Sequence, residues 1–201
     1  MKLFSSPASP FVRKVRVLIL EAGLSDRVEE VVTSTTVLES APDLVAVNPL
    51  ARLPSLVRDD GPAIYDSRVI TRYLDHVAKA GLYPESRLWD VLTLEATADG
   101  FIDSAVLMAY EKRLRPAEIQ FEPWLEGQWD KVARSVKVVN DRWMSHLKGP
   151  LDMGQIALAC GLGYLDFRHG DRNWRNGCGA LDDWYAAFSE RPSMKATAVP
   201  G

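Results

Sequence analysis

Asn48-Pro49-Leu50-Ala51-Arg52-Leu53-Pro54, followed at once by Ser55-Leu56-Val57, is the stretch on which the reading of this chain turns. The apolar run directly behind Pro54 reads as a short strand. Downstream, Asp60-Gly61 is a hairpin turn signal, and residues 63–65 read as the returning strand. Ser67 is then expected to cap a helix whose apolar face is Ile70, Tyr73, Leu74 and Val77. Upstream of the stretch, residues 28–33 read as a strand. Before them lies a helix with Phe11, Val15, Leu18 and Ala22 on one face and Gly23 as its stop. Residues 2–4 begin the first strand. The order is β-α-β, a connecting segment, then β-β-α.

The rest of the chain differs in composition. All six tryptophans lie after residue 88, while seven of the twelve prolines lie at or before Pro84. Three helical stripes follow: Val91, Leu94, Ala98, Phe101, Ala105 and Ala109; then Trp129, Val132, Val136, Val139, Trp143 and Leu147; then Ile156, Cys160, Gly163 and Phe167. Asp152-Met153-Gly154-Gln155 ahead of the third has a capping-box pattern. A last helix carries Leu181, Trp184, Tyr185 and Phe188. The seam is Lys79-Ala80-Gly81-Leu82-Tyr83-Pro84, which predicts an α/β domain over 1–78 and an all-helical domain over 85–201.

Composition excludes several classes. The 201 residues are 47% hydrophobic and 25% charged, which is ordinary globular usage. Lys+Arg 24 against Asp+Glu 27 gives a net charge of −3, with none of the basic excess of a nucleic-acid reader. Apolar runs fall well short of the ~18 residues of a membrane span. Cys160 and Cys178 make neither a disulfide framework nor a metal set, so a soluble protein of a reducing compartment is expected. There is no Walker loop and no His-Glu-x-x-His. Gly161-Leu162-Gly163 reads as helix packing, and His76, His146 and His169 are too scattered to point to a metal. Residues 168–175 read as a solvated loop.

The β-α-β, β-β-α layout with a proline ahead of its third strand resembles the thioredoxin fold, with a mixed four-stranded sheet. That likeness implies a cis Pro54, which presents the backbone of the preceding residue to a bound thiol peptide. Redox members carry Cys-x-x-Cys where this chain reads Ser9-Pro10-Phe11-Val12, so dithiol exchange is not available there. A hydroxyl at a helix N-terminus remains, a setting that favours an anion such as a ligand's thiolate. By spacing alone, Ser9 serves equally as a plain helix cap.

Ser9-Pro10-Phe11-Val12-Arg13-Lys14, the 48–54 block and Asp66-Ser67, followed by a Trp-rich helical part, resemble the soluble glutathione S-transferases over about residues 1 to 195. The resemblance assigns Ser9 to the glutathione thiolate. It gives the Leu53 backbone and Pro54 to the cysteinyl unit, Asp66 to the γ-glutamyl amino group and Ser67 to its carboxylate. Arg52 stands where it can reach the glycyl carboxylate, and reads equally as a solvated loop residue. No tyrosine precedes Tyr65 and no cysteine stands at position 9, so the chain resembles serine-type members; Ser5 and Ser6 are rivals on the strand side of the loop. Phe11, Asp103, Met108 and Tyr110 are candidates for the electrophile pocket, although a plain core role is the better reading of Met108 and Tyr110. A solvated face is the better reading of Asp99 and Asp103.

The implied activity is conjugation of glutathione, as co-substrate, to a small hydrophobic electrophile. No permanently bound cofactor, metal, nucleic acid or membrane is expected, and a cytoplasmic homodimer is implied. The alternatives are a non-catalytic glutathione- or ligand-binding or regulatory protein on the same fold, or a glutathione-dependent peroxidase or isomerase.

Overall fold

In the computed structural model, which describes residues 1–199, the chain divides into two compact units. One is Met1–Ser86 together with the segment from Pro192; the other is Arg87–Arg191. The described residues from Pro192 onward thus belong to the first unit, whereas the sequence predicts the helical domain to run over 85–201.

In the first unit, β1 (Lys2–Ser5), β2 (Glu29–Val32) and β3 (Ser55–Val57) form a sheet of order β2-β1-β3. β1 is parallel to β2, with Lys2 opposite Glu29, and antiparallel to β3, with Phe4 opposite Ser55. The expected fourth strand is reduced to a bridge between Leu56 and Ile64, whose N–H and C=O groups exchange bonds of 2.9 Å. Pro62 just ahead of it has no N–H to donate, and Asp66 just behind it already starts a helix.

Helix α1 (Pro10–Glu21) buries Val12, Val15, Leu18 and Ile19, while Phe11 and Ala22 are only half-buried. Apolar residues run nearly all round this helix, so periodicity alone misplaced its inner face by a residue. It stops as expected: Gly23 takes φ 65° and the Leu24 N–H reaches back to Ile19 O at 2.8 Å. Helix α2 (Pro42–Val47) was not foreseen; it buries Leu44 and no other residue. Helix α3 (Ser67–Ala78) packs on α1. Its cap is Asp66 rather than Ser67, because the aspartate Oδ1 accepts from the Arg68 N–H at 3.0 Å. Aspartate is at least as good an N-cap as serine, and taking that place moves Ser67 into the helix.

In the second unit α4 (Leu88–Leu114), α5 (Glu122–Arg142), α6 (Met144–Leu147), α7 (Met153–His169) and α8 (Gly179–Ser189) follow in order. The three predicted stripes fall on α4, α5 and α7, except that the second breaks at Trp143 before α6. Helix α7 is buried almost throughout and packs on α4. A Cβ on Gly161 would lie 2.5 Å from Phe101 Cζ, so this glycine is indeed there for close packing. Asp152 caps α7 by accepting from the Gln155 N–H at 3.1 Å. The Gln155 side chain does not close the box. It turns its amide toward the carbonyls of His146, Leu147, Gly149 and Pro150, at 3.3 to 3.4 Å. The other Asp152 oxygen, wholly buried, faces His146 Nε2 at 2.8 Å and Arg87 Nη1 at 3.3 Å. Burying that carboxylate without such partners would cost several kcal/mol.

Residues 168–175 are solvated only in part: Gly170, Asp171 and Asn173 are exposed, but His169 and Trp174 are buried. Trp174 is buried and donates to Asp166 at 2.8 Å, Arg175 bridges Asp166 and Asp182, and Arg172 pairs with Glu126. Helix α9 (Pro192–Ala196), back in the first unit, packs on α1.

Candidate active site

Topology brings three segments to one end of the sheet. The loop of residues 6–9 leaves the C-terminal end of β1. Because β3 is antiparallel to β1, with Ser55 opposite Phe4, residues 53 and 54 arrive at that same end. The segment through Ile64 is antiparallel to β3 in turn, so it delivers Asp66 and Ser67 there as well.

Ser9 is the N-cap of α1. Its Oγ accepts from the Val12 N–H at 3.3 Å, and its C=O accepts from the Arg13 N–H at 3.0 Å. Using an oxygen lone pair for the cap leaves the hydroxyl proton for a second partner, since a serine hydroxyl is one donor and two acceptors. Capping and anion binding, alternatives by spacing, are therefore compatible in one side chain. The rival Ser5 is fully buried and donates to Glu30, which itself pairs with Arg16 at 3.1 Å. That commits it to the sheet. The Ser6 carbonyl accepts from the Ser9 N–H at 3.0 Å, tightening the loop.

The Leu53–Pro54 peptide is cis, as the thioredoxin likeness implies. The β1–β3 pairing ends at Ser55, which leaves the Leu53 N–H and C=O outside the ladder. Asn48 builds this corner. It is buried, its Nδ2 donates to Arg52 O at 3.1 Å and Ser55 Oγ at 2.9 Å, and its Oδ1 accepts from the Leu50 N–H at 3.0 Å. Ser55 Oγ also donates to Arg52 O at 2.9 Å. Asn48 has no role assignable from sequence; its polarity inside an apolar connector is the one signal of this corner. Arg52 is exposed on the same loop.

At the start of α3, Asp66 is exposed and also pairs with the Arg68 guanidinium at 3.3 Å. Ser67 is buried at the first helical position, and its C=O accepts from Thr71 Oγ1 at 2.9 Å. First-turn N–H groups of a helix lack intrahelical partners, so this end offers donors beside the Asp66 carboxylate. That pairing suits a zwitterionic amino-acid end. Phe11 lies one residue beyond Pro10 in α1, half-buried.

The second-unit candidates lie on α4. Asp103 is exposed and Tyr110 half-buried, whereas Met108 is wholly buried, a core position rather than a pocket wall. Asp99 is buried too, against the expectation of a solvated face; small apolar neighbours such as Ala98 and Ala105 gave no warning of it. Both cysteines are buried outside any disulfide, and burial pushes the Cys178 thiol up, which keeps it protonated.

Residues 8–77 match the family model for the glutathione S-transferase N-terminal domain, and residues 122–187 match the one for its C-terminal domain. The chain belongs to the glutathione S-transferase family. An uncharacterized GST-like protein of Escherichia coli K12, YibF, is 35% identical over 181 residues, 87% of this chain and 86% of its own. The structure of a glutathione transferase family member from Pseudomonas fluorescens Pf-5 with bound glutathione is 43% identical, with a TM-score of 0.97, covering 100% of this chain and 99% of that one. A structure from the same organism with bound S-(propanoic acid)-glutathione, also 43% identical, has a TM-score of 0.92 and covers both chains fully. This family member has the thioredoxin-like first domain and helical second domain that the sequence implies. Among its described residues no helix is long and apolar enough to cross a membrane.

Proposed function

We propose that the chain is a serine-type glutathione transferase that conjugates the glutathione thiolate to small hydrophobic electrophiles. The observation that carries this reading is the free donor on Ser9 at the same end of the sheet as the unpaired Leu53 backbone and the Asp66–Ser67 helix start. Leu53 would exchange two backbone bonds with the cysteinyl unit, Asp66 and Ser67 would hold the γ-glutamyl end, and Arg52 the glycyl carboxylate. Glutathione bound in a relative 43% identical, and a glutathione thioether in another structure at that identity, support both halves of the reaction.

In the reaction the thiol gives up its proton and the sulfur forms a C–S bond to the electrophilic carbon. The displaced electron pair leaves with a leaving group, or passes into an activated double bond and is protonated. A free thiol of pKa ~8.5 is only ~3% ionised at pH 7. Lowering that pKa by ~2 units raises the thiolate fraction roughly 25-fold but costs ~6–10-fold in nucleophilicity, a net gain of about threefold. The larger share must come from holding the electrophile beside the sulfur. We also propose a cytoplasmic homodimer that needs no permanently bound cofactor.

The test is retention on immobilised glutathione, together with turnover of a chromogenic aryl halide and of small unsaturated carboxylic acids. Retention with turnover of either class is the expected result. Retention with no turnover across a broad electrophile panel makes the protein a binding module. Failure to bind glutathione removes the reading altogether.

A further inference from the structure

The C-terminal segment answers to nothing in the catalytic scheme, yet its inner face is as buried as the core. Ser193, Met194 and Thr197 are all buried, while Lys195 and Ala196 face solvent. A five-residue helix has no stability of its own, because nucleation costs more than so few bonds return. Its order comes from docking on α1.

The docking bonds are specific. Arg13, itself buried, donates through Nη2 to Met194 O at 3.1 Å and through Nε to Thr197 Oγ1 at 3.4 Å. Thr197 Oγ1 in turn donates to Ser193 O at 2.8 Å, and Ser193 Oγ donates to Glu21. Arg13 and Glu21 are eight residues apart, about 12 Å along a helix, so α9 holds α1 near both ends. A buried guanidinium tolerates so little water only where its donors are met. The Arg13 N–H also closes the first helical turn on Ser9 O at 3.0 Å. A shift of Arg13 is therefore a shift of Ser9.

We infer that α9 is a clasp that positions α1, with Arg13 and Thr197 as positioning residues that set where the Ser9 hydroxyl points. The inference rests on the reading of Ser9 given above. Misplacing a reacting group by about 1 Å can cost ~100-fold in rate, so even a modest loosening should be visible in turnover.

The test uses point variants of the full chain: Thr197→Val, which keeps shape but loses the hydroxyl; Thr197→Ser, which restores it; and Ala196→Ser on the outer face as control. Hydrogen exchange at the Val12 and Arg13 amides, the pKa of the bound glutathione thiol, and kcat and KM are read together. In Thr197→Val those amides should exchange about tenfold faster, the loss of roughly one hydrogen bond. The thiol pKa should rise and kcat should fall, while KM for glutathione moves less than about twofold, since Leu53, Asp66 and Ser67 are untouched. Thr197→Ser and Ala196→Ser should behave as the parent. A Thr197→Val protein with a lower melting temperature but unchanged first-turn exchange, thiol pKa and kcat would make α9 a mere structural appendage and overturn the inference. If Ser9→Ala leaves the thiol pKa unchanged, the reading of Ser9 fails; altered first-turn exchange in Thr197→Val then still supports the clasp on α1.

Discussion

A serine hydroxyl that caps a helix while donating to a ligand is worth different amounts in its two roles, and Ser9 lets them be separated. In Ser9→Ala the cap bond to Val12 is lost, about 1 kcal/mol of stability. If the hydroxyl also donates to the thiolate, a charge-assisted bond of ~1.5–3 kcal/mol goes with it. Turnover at pH 7 should then fall roughly 10- to 150-fold. The bound thiol's pKa should rise toward its free value, because only the ionised form needs the donor. Thiolate absorbance against pH reads this directly; an unshifted thiol in a folded variant leaves Ser9 a cap and nothing more. Local geometry was legible where the motif is local: Ser9 caps a helix and the Leu53–Pro54 peptide is cis, as read, whereas the cap of α3 moved from Ser67 to Asp66. Asn48 was not legible, because its partners Arg52 and Ser55 become neighbours only once the loop has bent back on itself. Asp99 was misjudged for a related reason, since burial on a helix hydrophobic on several sides is decided by what packs there.

Elements were legible in proportion to their length. A 3.6-residue period sums over the 27 residues of α4 and the 17 of α7, whereas the six of α2 and five of α9 carry too few turns to show one. Short strands suffer likewise, and the fourth survives as one bridge. Helix α7 also contains a titrating group whose effect is predictable. His169, at its end, approaches Ala105 O at 2.9 Å through Nε2, and burial holds its pKa below the ordinary value despite that bond. The folded state thus prefers the neutral ring, while the unfolded chain takes up a proton near pH ~6.5. Between these two values the unfolded state binds more protons, so His169 costs stability as the pH falls through about 6.5, and its contribution is fully present above that. Urea midpoints taken from pH 7.5 down to pH 5 should drop less steeply in His169→Gln, whose amide can still donate to Ala105. Equal slopes in the two proteins would mean that His169 does not titrate differently on unfolding.

At the scale of the molecule, the surface of the first unit carries exposed apolar side chains that a second copy could cover. Leu50 is 62% exposed and Val69 on α3 is 48% exposed. Leu50 is not a floppy tip: its N–H is fixed by Asn48 Oδ1, so the leucine is held out at little further entropic cost. A leucine held out in that way is pre-ordered for a contact with a second chain. The proposed homodimer supplies the cover, and two-fold symmetry makes every contact count twice. Burying one leucine side chain is worth about 1.5–3 kcal/mol, so removing two across a symmetric interface should weaken association by a hundredfold or more. Light scattering at micromolar concentration should therefore give twice the chain mass for the parent and a concentration-dependent fall toward the single mass for Leu50→Glu. Glutathione binding to the variant should persist, since Ser9, Leu53, Asp66 and Ser67 all belong to one chain. A parent that scatters as a single chain would end the dimer proposal, and a Leu50→Glu protein that stays fully dimeric would place the interface away from this loop.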